Sequence, residues 1–352
     1  MIRFKASVLT LLLSALLLLP TSALARDSFS VCWSIYAGWM PWAYGDESGI
    51  VDKWAEKYGI EIDVVQINDY IESINQYTAG RYDGCTMTNM DALTIPAAGG
   101  VDSTALIVGD FSDGNDGLVL KGKDRLEDVK GQRINLVELS VSHYMLARAL
   151  DSVGLTERDV TVVNTGDADI VAAFSSRNTT AVAAWNPQLS TIMAEPSANL
   201  VFDSTQIPGE IIDMMVVNTK TLEENPNFGK ALTGAWYEIM ATMRGDSDPA
   251  KSARQLMGEA AGTDREGYEK QLEATHMFYQ PASAVEFVMS PALKDTMQLV
   301  AEFSFEHGLL GDTAPGPDII GIETPSGVYG NSDNIRLRFS PEYMQQAAAG
   351  EQ

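Results

Sequence analysis

From residue 29 the chain alternates short apolar runs with single amphipathic stretches, and that alternation confines it to one broad class of fold. Residues 29–34 alternate as a strand does. Ser48 then caps a helix with Ile50, Val51, Trp54 and Tyr58 on one stripe, stopped at Gly59. Residues 60–67 alternate again. Asp69 opens a helix carrying Ile71, Ile74 and Thr78 that stops at Gly80, and residues 82–87 form the next strand. Strands this short, separated by single helices, imply a mainly parallel sheet with right-handed crossovers. Ligands of such sheets lie beyond the carboxyl ends of the strands. Those ends are here residues 34–42 and 86–91.

A second unit of the same kind follows. Strands are expected over 117–120, 133–137, 160–163 and 180–185, with a helix capped by Ser140 and stopped after Ser152 at Gly154, and another over 167–175. Strands at 200–202 and 214–218 precede a mostly helical remainder over 223–310. With 352 residues and no low-complexity linker, the two α/β units are expected to be joined by short crossover strands near 106–118 and 212–218, so that they can hinge shut on a ligand. The reading divides the chain into one lobe over 26–112 and 216–352 and a second over 113–215.

Residues 1–25 read as an export signal: Arg3 and Lys5 at the start, an apolar run over 8–19, and Ala23-Leu24-Ala25 before Arg26. Cleavage after Ala25 leaves 22 basic against 48 acidic residues, a net charge near −26. Such a surface repels nucleic acid and anionic lipid. An exported compartment permits a disulfide between Cys32 and Cys85, both in expected strands; two small buried thiols on neighbouring strands fit the pattern equally well.

Three of the six tryptophans, Trp33, Trp39 and Trp42, lie within ten residues. Gly38 and Pro41 predict a loop there, with Trp39 and Trp42 on a binding surface and Trp33 in the core. No G-x-S-x-G, phosphate loop or metal-ligand pair at helical spacing is present, and three scattered histidines are poor material for a triad or zinc site. No enzyme chemistry, cofactor or metal is expected.

The phrases Glu47-Ser48-Gly49-Ile50, Gly154-Leu155, Asp159-Val160-Thr161-Val162-Val163-Asn164 and Asp167-Ala168-Asp169 resemble the type II periplasmic solute-binding proteins of the nitrate, sulfonate and taurine uptake class. Residues 31–42, 83–100 and 137–144 are similar to the subgroup associated with urea carboxylase and proposed to carry urea or guanidine. The resemblance implies two α/β lobes, a ligand clamped between them, a monomer in the periplasm, and delivery to an ABC transporter permease without chemistry on the ligand. It also admits relatives devoted to thiamine-pyrimidine precursors.

The expected cleft segments, 34–42, 86–91, 110–117, 138–143, 185–188 and 204–213, contain no Lys or Arg. Anion recognition normally uses such charge-assisted donors. The segments carry acids instead. Glu138 and Asp91 are the first expected ligands, then Asp213, with Glu210, Asp110, Asp113 and Asp116 behind. Carboxylates opposite the rings of Tyr36, Trp39, Trp42 and Trp185 suit a flat guanidinium, and urea could use the same groups with Asn89 or Asn186 serving its oxygen. Thr88, Ser140 and His143 complete the expected set, Ser140 more as a helix cap than as a ligand group. A quaternary ammonium ion or a taurine- or nitrate-type anion are the alternatives.

Overall fold

The computed structural model describes residues 26–311 and 313–352; the expected export signal lies outside them. Among these residues the strands form two sheets. The larger contains β1 (Ser28–Trp33), β2 (Glu61–Gln66), β3 (Gly84–Thr88) and β4 (Ser103–Ser112). The smaller contains β5 (Asp116–Lys121), β6 (Arg133–Leu136), β7 (Thr161–Asn164), β8 (Ala181–Trp185) and β9 (Ala198–Asp203) in the order β7-β6-β8-β5-β9. The chain then returns to the larger sheet with β10 (Ile212–Asn218), β11 (Thr275–Met277), β12 (Gly321–Thr324), β13 (Gly327–Tyr329) and β14 (Ile335–Phe339). Its order is β13-β12-β14-β4-β10-β3-β1-β2, with β11 beside β4.

The expected parallel pairs are present: β1 with β2 and β3, and β6 with β7 and β8. The strands that carry the chain between sheets run the other way. β10 is antiparallel to β3 and β4, and β5 is antiparallel to β8 and β9. The reason is directional. β1, β3 and β4 run toward the gap between the sheets, so a strand arriving from across that gap must start there and run outward. The gap is therefore lined by carboxyl ends of the ordinary strands and by amino ends of β5 and β10, which the parallel-sheet reading did not anticipate. The strands after residue 310 and β11 also went unread.

Packing follows the strand period. In β5, Leu118 and Leu120 point to a core with Ile134, Met145 and Leu150, whereas Val119 points to the opposite core with Phe174, Val182 and Ile192. On the larger sheet Phe29 stacks on Phe228 with centroids 4.6 Å apart. The helical stretch after β10, including Pro226–Met243 and Pro291–Glu306, covers this sheet.

Two local expectations are corrected. Residues 34–42 are not all loop: a helix spans Met40–Glu47, with Pro41 in its first turn, where no amide hydrogen bond is lost. Trp42 is thereby turned into the core against Trp236, with centroids 5.2 Å apart. The next helix, Ile50–Lys57, is capped not by Ser48 but by Gly49, whose φ of 72° suits a residue without a Cβ.

Cys32 and Cys85 face one another in the β1–β3 register and are joined by a disulfide, with Cα atoms 4.4 Å apart. It closes a loop of 53 residues, for which chain entropy gives about 4 kcal/mol. The Cys32→Ala, Cys85→Ala double variant is expected to unfold in urea with about 2–4 kcal/mol less stability than the oxidised protein; equal midpoints would show that the bond adds nothing.

Candidate ligand site between the two sheets

A cleft with about 270 Å³ between its walls opens where the strand ends of the two sheets meet. The cleft is small.

One wall is aromatic. Tyr36 and Trp39 follow β1, Tyr70 begins the helix Tyr70–Thr78, and Trp185 ends β8 on the opposite sheet. Their centroids step across the gap at 4.9, 5.6 and 5.8 Å, in edge or tilted geometry. Trp39 Nε1 is buried with no hydrogen-bond partner in the protein.

The other wall is acidic, and the antiparallel crossover strands build it. Asp213, near the start of β10, lies opposite Thr88 at the end of β3 and opposite Asp110 on β4. Asp116, the first residue of β5, lies opposite Trp185. Tyr36 donates its hydroxyl to Asp110 Oδ1 at 2.9 Å, and Ser112 donates to Asp116 Oδ2 at 2.6 Å. Behind Thr88, Asp91 accepts from Tyr70 at 2.6 Å and from Thr88 Oγ1 at 2.8 Å. All four carboxyls are buried, and Asp110 Oδ2 and Asp213 Oδ2 have no well-aligned hydrogen-bond partner. Gly38 makes this approach possible, because a methyl group there would collide with the Asp110 carboxylate and the Tyr36 ring.

Burial dominates the protonation of these groups. Loss of water raises Asp110 to about 7 against the pull of the Tyr36 hydrogen bond, and raises Asp116 to about 7 against that of Ser112. Asp91 rises to about 6, held back by Tyr70, Thr88 and the Val141 amide. Asp213 is pushed well up by burial and then by its neighbours Asp110 and Asp116. No residue lining the cleft among the described residues is Lys or Arg.

Of the residues expected from sequence, Tyr36, Trp39, Thr88, Trp185 and Asp213 line the cleft, and Asp91 sits directly behind it. The others are elsewhere. Glu138 is exposed on a turn held by Asn164, because the chain must leave β6 before Ser140 can cap the helix Val141–Ser152. Ser140 spends its hydroxyl on Val137 and on that cap. Trp42 is core. Asn89 ties down the second crossover, donating to the Glu210 carbonyl at 3.0 Å and accepting from the Ile212 amide at 3.1 Å. Asn186 accepts from Ser190, closing its own turn. His143 turns away toward Glu157 and His307. Glu210 is occupied by Tyr144 and Arg148. Asp110 and Asp116, read as outlying hinge acids, belong to the acidic wall. Tyr70 was missed; the Thr88-x-x-Asp91 spacing near an aromatic helix start was its only signal.

A family model described as NMT1-like matches residues 48–258. The chain belongs to the NMT1-like family. A protein of Brucella abortus named as a candidate binding protein is 28% identical over 228 residues, 62% of this chain and 68% of that one. Among solved structures, the alkanesulfonate-binding protein SsuA of Xanthomonas axonopodis pv. citri, bound to MOPS, superposes with a TM-score of 0.67 at 17% identity, covering 82% of this chain and 96% of that one. The periplasmic nitrate-binding protein NrtA of Synechocystis PCC 6803 gives 0.58 at 13% identity over 93% and 99%. The NMT1-like chain thus has the type II periplasmic-binding-protein fold.

The raised carboxyls predict a stability cost. An Asp whose folded pKa lies above its unfolded value stabilises the fold at low pH, and that contribution is lost as pH rises through the raised value, as it does for Asp213. Asp213→Asn is therefore expected to melt higher than the parent in ligand-free buffer at pH 8, by about 1–3 kcal/mol. A lower melting point would mean that Asp213 is already well satisfied.

Proposed function

We propose that this NMT1-like protein is an exported, solute-binding component of an ABC importer that captures guanidinium, or the related urea, between its two lobes. The observation that carries the reading is a closed cleft with Asp213 and Asp116 in its wall, Asp110 and Asp91 behind, aromatic rings opposite and no basic side chain. Each carboxylate is costly to bury alone, and a cation removes that cost. A flat guanidinium offers paired N–H donors to carboxylate oxygens and a face to the tryptophan rings. A quaternary ammonium ion has no N–H to give them. The sulfonate- and nitrate-binding neighbours share the fold, but their named ligands carry the charge that this cleft repels. The Brucella relative supports a binding role. No helix among the described residues is long and apolar enough to cross a membrane, which agrees with a periplasmic protein working with a separate permease.

Calorimetry against guanidine, urea, taurine, nitrate and choline tests the reading. Guanidine is expected to bind one to one and most tightly; tight taurine or nitrate binding without guanidine would end it. Trp39→Leu should weaken guanidine by about 1–2 kcal/mol through loss of the ring face. Affinity should also depend on pH. A bound cation lowers the carboxyl values, so binding is full above about 7 and falls as pH drops through the raised values of Asp110 and Asp116. The expected slope is about tenfold per pH unit for each carboxyl that must lose its proton. An affinity constant from pH 8 to pH 5.5 would show that these acids do not meet the ligand.

A further inference from the structure

Away from the cleft, two of the three histidines converge on one carboxylate. His143 Nε2 and His307 Nε2 each stand 2.5 Å from an oxygen of Glu157, and one ligand atom from each residue falls within 4.8 Å of the others. His143 belongs to the helix Val141–Ser152 and Glu157 to the turn before β7, both on the smaller sheet. His307 ends the helix Pro291–Glu306, which packs on the larger. The cluster thus spans the lobe interface.

Its hydrogen bonding is incomplete in an informative way. His307 presents Nδ1 to the Phe303 carbonyl at 2.8 Å, which orients the ring and leaves Nε2 for another partner, the arrangement metal-bound histidines adopt. His143 is 4% exposed, accepts the Leu139 amide at Nδ1 and turns Nε2 to Glu157 Oε1 in a poorly aligned ion-pair contact, while His307 Nε2 bonds Glu157 Oε2, so the carboxylate bridges the two rings. Glu157 is partly exposed, so water can reach a fourth position.

We propose that His143, Glu157 and His307 form a site for one borderline divalent ion of the Zn2+ class that fastens the lobes in their closed form. Two imidazole nitrogens and a carboxylate oxygen are a zinc donor set. Ligation opens each nitrogen–oxygen pair from 2.5 Å to roughly 3.3 Å, the separation set by bonds of about 2.0–2.1 Å at tetrahedral angles. It also moves the His143 proton to Nδ1, giving up the 3.2 Å contact from the Leu139 amide. Because the donors come from both lobes, the ion binds the closed arrangement more tightly than the open one and favours it by that difference.

Titration of the chelator-treated full protein with Zn2+ tests this without any cleft ligand. One site is expected, weakened at least tenfold in both His143→Ala and His307→Ala, and Co2+ should give the strong visible absorption of a four-coordinate centre. Zinc binding unchanged by either substitution, or a weak six-coordinate Co2+ spectrum, would overturn the proposal. If a variant does not fold, Glu157→Gln and the parent Co2+ spectrum still decide.

Discussion

The arrangement of this protein turns on the burial of like charge. Asp110 and Asp213 are neighbours across two antiparallel strands, with Asp116 close by, buried and with no Lys or Arg among the residues lining the cleft. Water would otherwise stabilise these ions by several kcal/mol each. Burial raises all three carboxyls toward their protonated forms, and the Tyr36 and Ser112 hydroxyls soften the cost without cancelling it. Burying such a set of acids costs stability unless they are neutralised.

The fold explains why the acids are where they are. A two-sheet molecule linked by two crossings brings outgoing strands back through the gap, so amino ends and carboxyl ends meet there. Asp116 is the first residue of β5 and Asp213 the second of β10, so both stand at the gap where the returning strands begin. The same fold in the sulfonate- and nitrate-binding neighbours therefore leaves the charge of the site open to local choice, and this chain places carboxylates where a binder of anions needs donors.

Much of this was legible in the sequence. The βαβ rhythm, the two units, the absence of Lys and Arg from the strand-end segments, and the roles of Trp33 as core and Trp39 on the cleft follow from local pattern. Three kinds of feature did not. Strand direction at the crossings depends on three-dimensional return, which has no local signature. Trp42 and Glu138 were misplaced because a helix start after Pro41 and a turn after β6 rotate side chains by amounts that periodicity does not resolve. His143 and His307 come together from distant parts of the chain, so no spacing rule links them.

The disulfide has a mechanical consequence. It joins β1 one residue before its end, ahead of Trp39, to β3 near its beginning, three residues before Thr88. These two strands cannot spread, so the larger sheet's share of the cleft wall is held in place. Any opening movement must be taken up by the short segments 113–115 and 204–211, and the second of these is itself strapped to one lobe by Asn89 and to the other by Tyr144 and Arg148 through Glu210. The molecule thus confines its compliance to a few peptide units beside the acidic wall, so that filling the cleft and moving the jaws act on the same piece of backbone.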